Sequence, residues 1–210
     1  MLTISNFQKK YPGTEEPVLS IPELELREGI YWIKGENGSG KTSMIKSIAG
    51  LIPFKGNIEI NGTRIDKNRM AYTRAVNYAE AEPQYPAFLT GKELLDFYHA
   101  TKKGELPLTL MNELGTGKFI NSKTAVYSSG MMKKLSLVLG FTGNPSLILL
   151  DEPLIALDVA AVEVLQQTIA AYNNKGVSFI ITSHQPLEST IVKNSASFII
   201  KDKTLVQENE

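Results

Sequence analysis

The 210 residues carry 22 lysines and arginines against 22 aspartates and glutamates, and no cysteine. The balance gives no electrostatic reason to expect nucleic acid as the main partner, and the missing thiols exclude disulfides and thiolate metal sites. Hydrophobic residues make up 42% of the chain, and no run approaches the roughly twenty apolar residues that would span a bilayer. This length suits one sizeable domain or one domain carrying an insertion.

The first residues, Leu2 to Phe7, alternate and predict a strand rather than a signal peptide. Tyr11 to Pro17 is rich in turn residues, and Val18–Ile21 and Glu23–Leu26 predict further strand. Gly29–Lys34 is apolar, aromatic and β-branched, and reads as a strand that feeds Gly35-Glu36-Asn37-Gly38-Ser39-Gly40-Lys41-Thr42. That stretch fits the pattern Gly-four residues-Gly-Lys-Ser/Thr without a mismatch. Its glycines let the backbone turn and approach a ligand closely, so the exposed N–H groups form an anion-binding nest. Ser43 to Ala49 reads as the helix that follows, whose free N-terminal N–H groups add positive potential. Lys41 would reach the β- and γ-phosphates of a nucleotide, and the Thr42 hydroxyl would ligate Mg²⁺.

Gly56 to Ile60 ends at Asn61-Gly62, a hairpin signal, and Thr63 begins the return. The first third is therefore expected to be β-rich apart from the helix after the loop. From Thr90 to Thr101 apolar residues recur at helical spacing; Leu108–Leu114 and Gly130–Thr142 predict two more helices. Residues 85–142 read as a helical insertion in an α/β core made of 1–84 and 143–210. Ser146–Leu150 is a continuous apolar run, as a strand buried on both faces requires. A helix is expected over Asp158–Asn173, a buried strand over Val177–Thr182, and a final hairpin turning at Asp202-Lys203. The chain stops soon after, so no appended carboxy-terminal domain is expected. The alternation implies a parallel sheet with helices on its faces.

Asp151 and Glu152 fall at the carboxyl end of a buried strand, the sheet edge where ligands bind. Asp151 suits the second Mg²⁺ shell, and Glu152 suits polarisation of a water beside a γ-phosphate. His184, at the end of the next strand, would reach the same edge; His99 is given no chemistry. Tyr127-Ser128-Ser129-Gly130 opens the third helix and makes a second anion site. One chain offers that second site no ligand, whereas the nucleotide of a second copy would supply one.

In this order the motifs resemble the ATP-binding cassette family, the motor subunits of ABC transporters, over about residues 1 to 205. Gly35 to Thr42 is similar to Walker A, and Leu147 to Glu152 to Walker B with its catalytic glutamate. Tyr127 to Met131 is similar to the signature, Ala156-Leu157-Asp158 to the D-loop, and His184 to the switch histidine. The resemblance implies a RecA-like P-loop NTPase core, with an N-terminal antiparallel β subdomain and an inserted helical subdomain. It implies ATP and Mg²⁺ as cofactors, with Gly35, Asn37, Gly38, Ser39, Gly40, Lys41, Thr42 and Ser43 around the nucleotide. Tyr11 lies where the family stacks an aromatic on adenine. Two cassettes would close head to tail around two ATP, with Ser128, Ser129, Gly130 and Asp158 facing the partner's nucleotide. A separate membrane permease would receive the work, at the cytoplasmic face of the cell membrane.

The sequence departs from the family at two places. The signature reads Tyr-Ser-Ser-Gly-Met, which keeps Ser128 and Gly130. The family's Q-loop glutamine aligns with Ala81, with Gln84 as the alternative. A cassette ATPase acting on nucleic acid would favour a basic face or paired cassettes, and a silent regulator would lack Glu152 or His184. A P-loop kinase would leave Ser128 unexplained. The compact chain resembles exporter-type cassettes more than importers.

Overall fold

The computed structural model describes residues 1–183 and 195–208. Two sheets share the chain. The first is antiparallel: β1 (Leu2–Lys9) lies between β2 (Leu19–Leu26) and β4 (Lys55–Ile60), and β5 (Thr63–Arg64) sits at the edge. The expected strands on either side of Pro22 are one, β2, paired with β1 from Leu26 to Leu19.

The second sheet runs β10 (Thr204–Gln207), β9 (Ser195–Lys201), β3 (Ile30–Lys34), β8 (Ser178–Thr182), β7 (Leu147–Asp151), β6 (Val76–Ala79). Strands β3, β6, β7, β8 and β9 are parallel, and β10 returns antiparallel. Every residue of β7 and β8 is buried. Along β7, Leu147 and Leu149 pack with α1 (Lys41–Ile48) and the antiparallel sheet. Ile148 and Leu150 face the other core, shared with α3 (Gly91–Lys102), α5 (Ser129–Gly140) and α6 (Val159–Asn173). The period-2 geometry of a strand thus serves two cores at once, which is why β7 reads as an unbroken apolar run.

Between Thr90 and Glu113, α3 and α4 (Leu108–Glu113) follow the expected ranges. The first third holds a helix the sequence reading left out, α2 (Arg69–Ala75), capped by Asn68. Its short length and its two arginines hide the periodicity, but Tyr72 is fully buried and donates from its hydroxyl to Ile48 O at 2.6 Å. Lys102 caps the far end of α2: its half-buried side chain donates to the carbonyls of Thr73 and Val76, two groups a helix terminus leaves without intrahelical partners. Among the described residues no helix is long and apolar enough to cross a membrane.

Candidate active site

The phosphate loop connects β3 to α1, so the parallel sheet sets where its amides point. Gly40 caps α1 with φ of 109°, and Gly38 sits at 81°; both lie in the left-handed region that a Cβ disfavours. The loop forms one wall of a cavity of about 570 Å³. Tyr11, Asn37, Gly38, Gly40, Lys41, Thr42, Ser43 and Glu152 line it, together with Ala81 and Glu82. Gly35 and Ser39 line a larger groove on the other side of the loop instead. Gln84 lines neither, so of the two candidates Ala81 is the residue at the cavity wall.

Lys41 donates from its buried ammonium to the carbonyls of Gly35 at 2.7 Å and Glu36 at 3.0 Å. An ammonium has three N–H donors, so one stays available to an anion in the cavity. Burial pushes the Lys41 pKa down, and the carboxylates of Glu152 and Asp151 push back.

Asp151 is where the strands converge. Its Oδ1 accepts from the Thr182 hydroxyl at 2.7 Å and from the Thr42 hydroxyl at 3.3 Å; its Oδ2 accepts from the Tyr78 phenol at 3.2 Å. The donors come from β8, α1 and β6, so one carboxylate is oriented by three neighbouring elements. Burial drives the Tyr78 phenol well above its ordinary range, helped by the charge on Asp151. Thr42 and Asp151 together present hard oxygen donors, the chemistry that Mg²⁺ takes when phosphates complete its shell. No larger cluster of metal-ligating side chains exists among the described residues.

Glu152 follows in a left-handed conformation, φ 43°, unusual for a residue with a side chain. Its N–H is held by both the carbonyl and the hydroxyl of Thr182, each at 3.1 Å. The strained turn swings its side chain off the strand axis into the cavity wall. Tyr11 stands at the mouth, with its hydroxyl 3.0 Å from Ser43 Oγ and Lys9 Nζ 4.2 Å from its ring centroid.

Ser128, Ser129 and Gly130 do not line this cavity; the two serines are exposed on another edge. Ser128 caps α5, accepting from Met131 N at 3.2 Å, which leaves its hydroxyl proton for another acceptor. Asp158 caps α6 by accepting from Ala161 N and pairs with Lys134 of α5 at 2.9 Å. The lysine, and then the helix amide, hold its carboxyl below the usual range. A Cβ on Gly130 would meet Ala156 O at 3.1 Å, so the start of α5 and the loop after Glu152 are in close contact. His184 lies outside the described residues. The sequence reading missed Thr182, Tyr78 and Lys133. A hydroxyl ending the strand beside Asp151 was a usable signal, because β7 and β8 pair with Asp151 opposite Thr182.

A phosphate loop between strand and helix, an acidic strand end one strand away and a lysine at the cavity wall define a P-loop nucleotide-binding protein. A family profile described as "ABC transporter" matches residues 21–155. An uncharacterized ABC transporter ATP-binding protein of Bacillus subtilis, YybJ, is 30% identical over 190 residues, covering 88% of this chain and 85% of that protein. The cytochrome c biogenesis ATP-binding export protein CcmA of Tatumella citrea is 32% identical over 159 residues, 75% of this chain and 76% of that protein. A solved ATP-binding subunit of an ABC transporter superposes with a TM-score of 0.88 at 25% identity, over 100% of this chain and 90% of that one. A dimeric ATP-binding cassette with ADP and Pi shares the fold at a TM-score of 0.85 and 21% identity, over 100% and 98% of the two chains. The chain belongs to the ABC transporter family, as an ATP-binding subunit with the P-loop ATPase fold.

Proposed function

We propose that this ATPase binds ATP with Mg²⁺ in the cavity between Tyr11 and Glu152, pairs head to tail with a second cassette, and drives a separate membrane permease. What carries the reading is the hydrogen-bond network on Asp151, which joins the helix after the phosphate loop to two strands of the parallel sheet. Loop amides and the third N–H of Lys41 take the β- and γ-phosphates, and the Tyr11 ring takes the adenine face. Thr42 and Asp151 hold Mg²⁺, which neutralises phosphate charge when bound. Glu152 polarises the attacking water from a fixed backbone. Ser128, Ser129, the Gly130 N–H and Asp158 face the nucleotide of the partner, and His184 acts from the strand end beyond the described residues.

The exposed Ile155 and Val159 flank Asp158 and suit burial against a partner cassette. Residues 85–142 act as the helical subdomain on a core of 1–84 and 143–210. A second cavity, about 280 Å³, lies where that segment meets β6. It is lined by Leu51, Glu80, Tyr85, Phe97 and Tyr98, and Phe97 is 66% exposed. An aromatic recess of this kind suits a short helix of a permease. The subunit then works at the cytoplasmic face of the cell membrane.

The test is ATP turnover against protein concentration, with sizing of Glu152→Gln in ATP and Mg²⁺. Turnover rising faster than linearly, with an ATP-trapped pair of the variant, is expected. Turnover strictly proportional to concentration, with a monomeric variant, overturns the pairing.

A further inference from the structure

Lys133 is 1% exposed, on the inner face of α5, three residues after Gly130. Its ammonium donates to three carbonyls: Glu80 at 2.8 Å, Ala81 at 3.2 Å and Asp151 at 3.2 Å. An ammonium has three N–H groups, so all are used on main-chain acceptors. Among the described residues it makes no ion pair with a carboxylate. The acceptors belong to the turn after β6, whose Ala81 and Glu82 line the nucleotide cavity, and to the end of β7 beside Glu152. Ala81 carries no polar side-chain atom, so no side chain at that position reaches across the cavity. Lys133 makes the connection from behind.

We propose that Lys133 is a positioning residue for hydrolysis. It holds the Ser128–Gly130 end of α5, the Ala81–Glu82 turn and the Asp151–Glu152 strand end as one body, so a partner docking at Ser128 fixes where Glu152 sits. The proposal rests on the paired reading above. A dry ammonium with three directed bonds tolerates little relative motion of its acceptors, because any bond it loses has no water to replace it. Lys102 provides the internal comparison. It is half-buried and, among the described residues, donates only to main-chain carbonyls, those of Thr73 and Val76, neither of which borders the nucleotide cavity.

The experiment compares steady-state ATP turnover and thermal unfolding of the full chain, Lys133→Met and Lys102→Met. Lys133→Met is expected to lose at least tenfold in kcat with the ATP KM within twofold of native, because the loop that binds phosphate is untouched. Lys102→Met is expected to unfold at lower temperature with kcat within twofold. A kcat for Lys133→Met within twofold of native overturns the proposal, as does a loss that both variants share in proportion to their stability. Should Lys133→Met fail to fold, Lys133→Gln, which keeps two neutral donors, carries the same comparison. If the native chain shows no turnover and the Glu152→Gln variant stays monomeric in ATP, the pairing reading fails first. Hydrogen exchange of the native chain then tests Lys133 directly: amides of 80–82, 129–132 and 151–152 are expected to share one opening free energy and one denaturant slope. Separate openings for the three segments overturn it.

Discussion

Replacing Thr182 by valine probes how the two carboxylates are held. Valine keeps the shape and β-branching of threonine, so β8 neither opens a cavity nor loses strand preference. What disappears is the hydroxyl that donates to Asp151 at 2.7 Å and accepts from the Glu152 N–H at 3.1 Å. The Glu152 N–H keeps its second acceptor, the Thr182 carbonyl, at 3.1 Å. Asp151 keeps the longer bonds from Thr42 and Tyr78, at 3.3 and 3.2 Å. The net loss is one short hydrogen bond to a buried charge, about 2 kcal/mol. For a chain of this size that lowers Tm by about 4–8 °C. Turnover should fall about tenfold, because the aspartate that faces Thr42 gains rotational freedom. Calorimetry and an ATPase assay on the same preparation measure both. Thr168→Val, which removes a hydroxyl bonded, among the described residues, only to Val164 O within α6, is the control. A Thr182→Val protein that melts within about 1 °C of native and hydrolyses ATP at the native rate would refute the view that Asp151 is oriented from β8.

Ala156 sits at φ 63°, so Ala156→Gly should raise stability by about 1 kcal/mol, read as a higher denaturant midpoint. Gly130→Ala puts a Cβ 3.1 Å from Ala156 O; it should cost about 1 kcal/mol in unfolding free energy and depress turnover more than nucleotide affinity. Burial holds the Lys102 ammonium at a pKa of about 8 in the folded chain, against about 10.4 in an unfolded one. Between those values the unfolded state binds more protons, so this lysine's contribution rises with pH from 8 to 10 and is lost as pH falls through 8. Above pH 10 the phenols of buried Tyr72 and half-buried Tyr85, both pushed up by desolvation, reverse the trend. Urea titrations across pH 7–10 should show a shallower rise for Lys102→Met than for the native chain.

The architecture was legible where one local rule sufficed. The loop from Gly35 to Thr42 needs only glycines, a lysine and a hydroxyl at fixed spacing. Strands β7 and β8 are unbroken apolar runs because both faces are covered. Helix α3 needs only apolar residues at helical spacing between Thr90 and Thr101, and it forms over Gly91–Lys102. Sequence reading stopped where a residue acts through distant chain. Lys133 reads as one of two adjacent lysines in a helix; only the packing of α5 against β6 and β7 makes it a buried tie while Lys134 faces out to Asp158. Residue 81 could not be told from Gln84 on spacing alone, because loop length decides which one reaches the cavity wall. Helix α2 was missed because its anchoring comes from Tyr72 in a distant core and from Lys102 on another helix.

These ties share a direction that bears on mechanism. Asp151 is gripped by hydroxyls, Glu152 by its own backbone N–H, and the Ala81 turn by an ammonium that reaches only carbonyls. Of these partners Thr182, Tyr78 and Lys133 do not line the cavity, and Thr42 does. Side chains that face phosphate and water therefore keep donor and acceptor capacity, while the backbone that carries them is fixed. Preorganisation of this sort costs no rearrangement when charge develops in the transition state. The left-handed residues Glu152 and Ala156 lie in the segment from the carboxylate proposed to polarise water to Asp158. Gly130 touches that loop at Ala156, and Lys134 touches it at Asp158. On the proposed pairing, a partner pressing on the start of α5 would meet both the loop and, through Lys133, the strand end behind it, which would join docking and hydrolysis by two short mechanical routes.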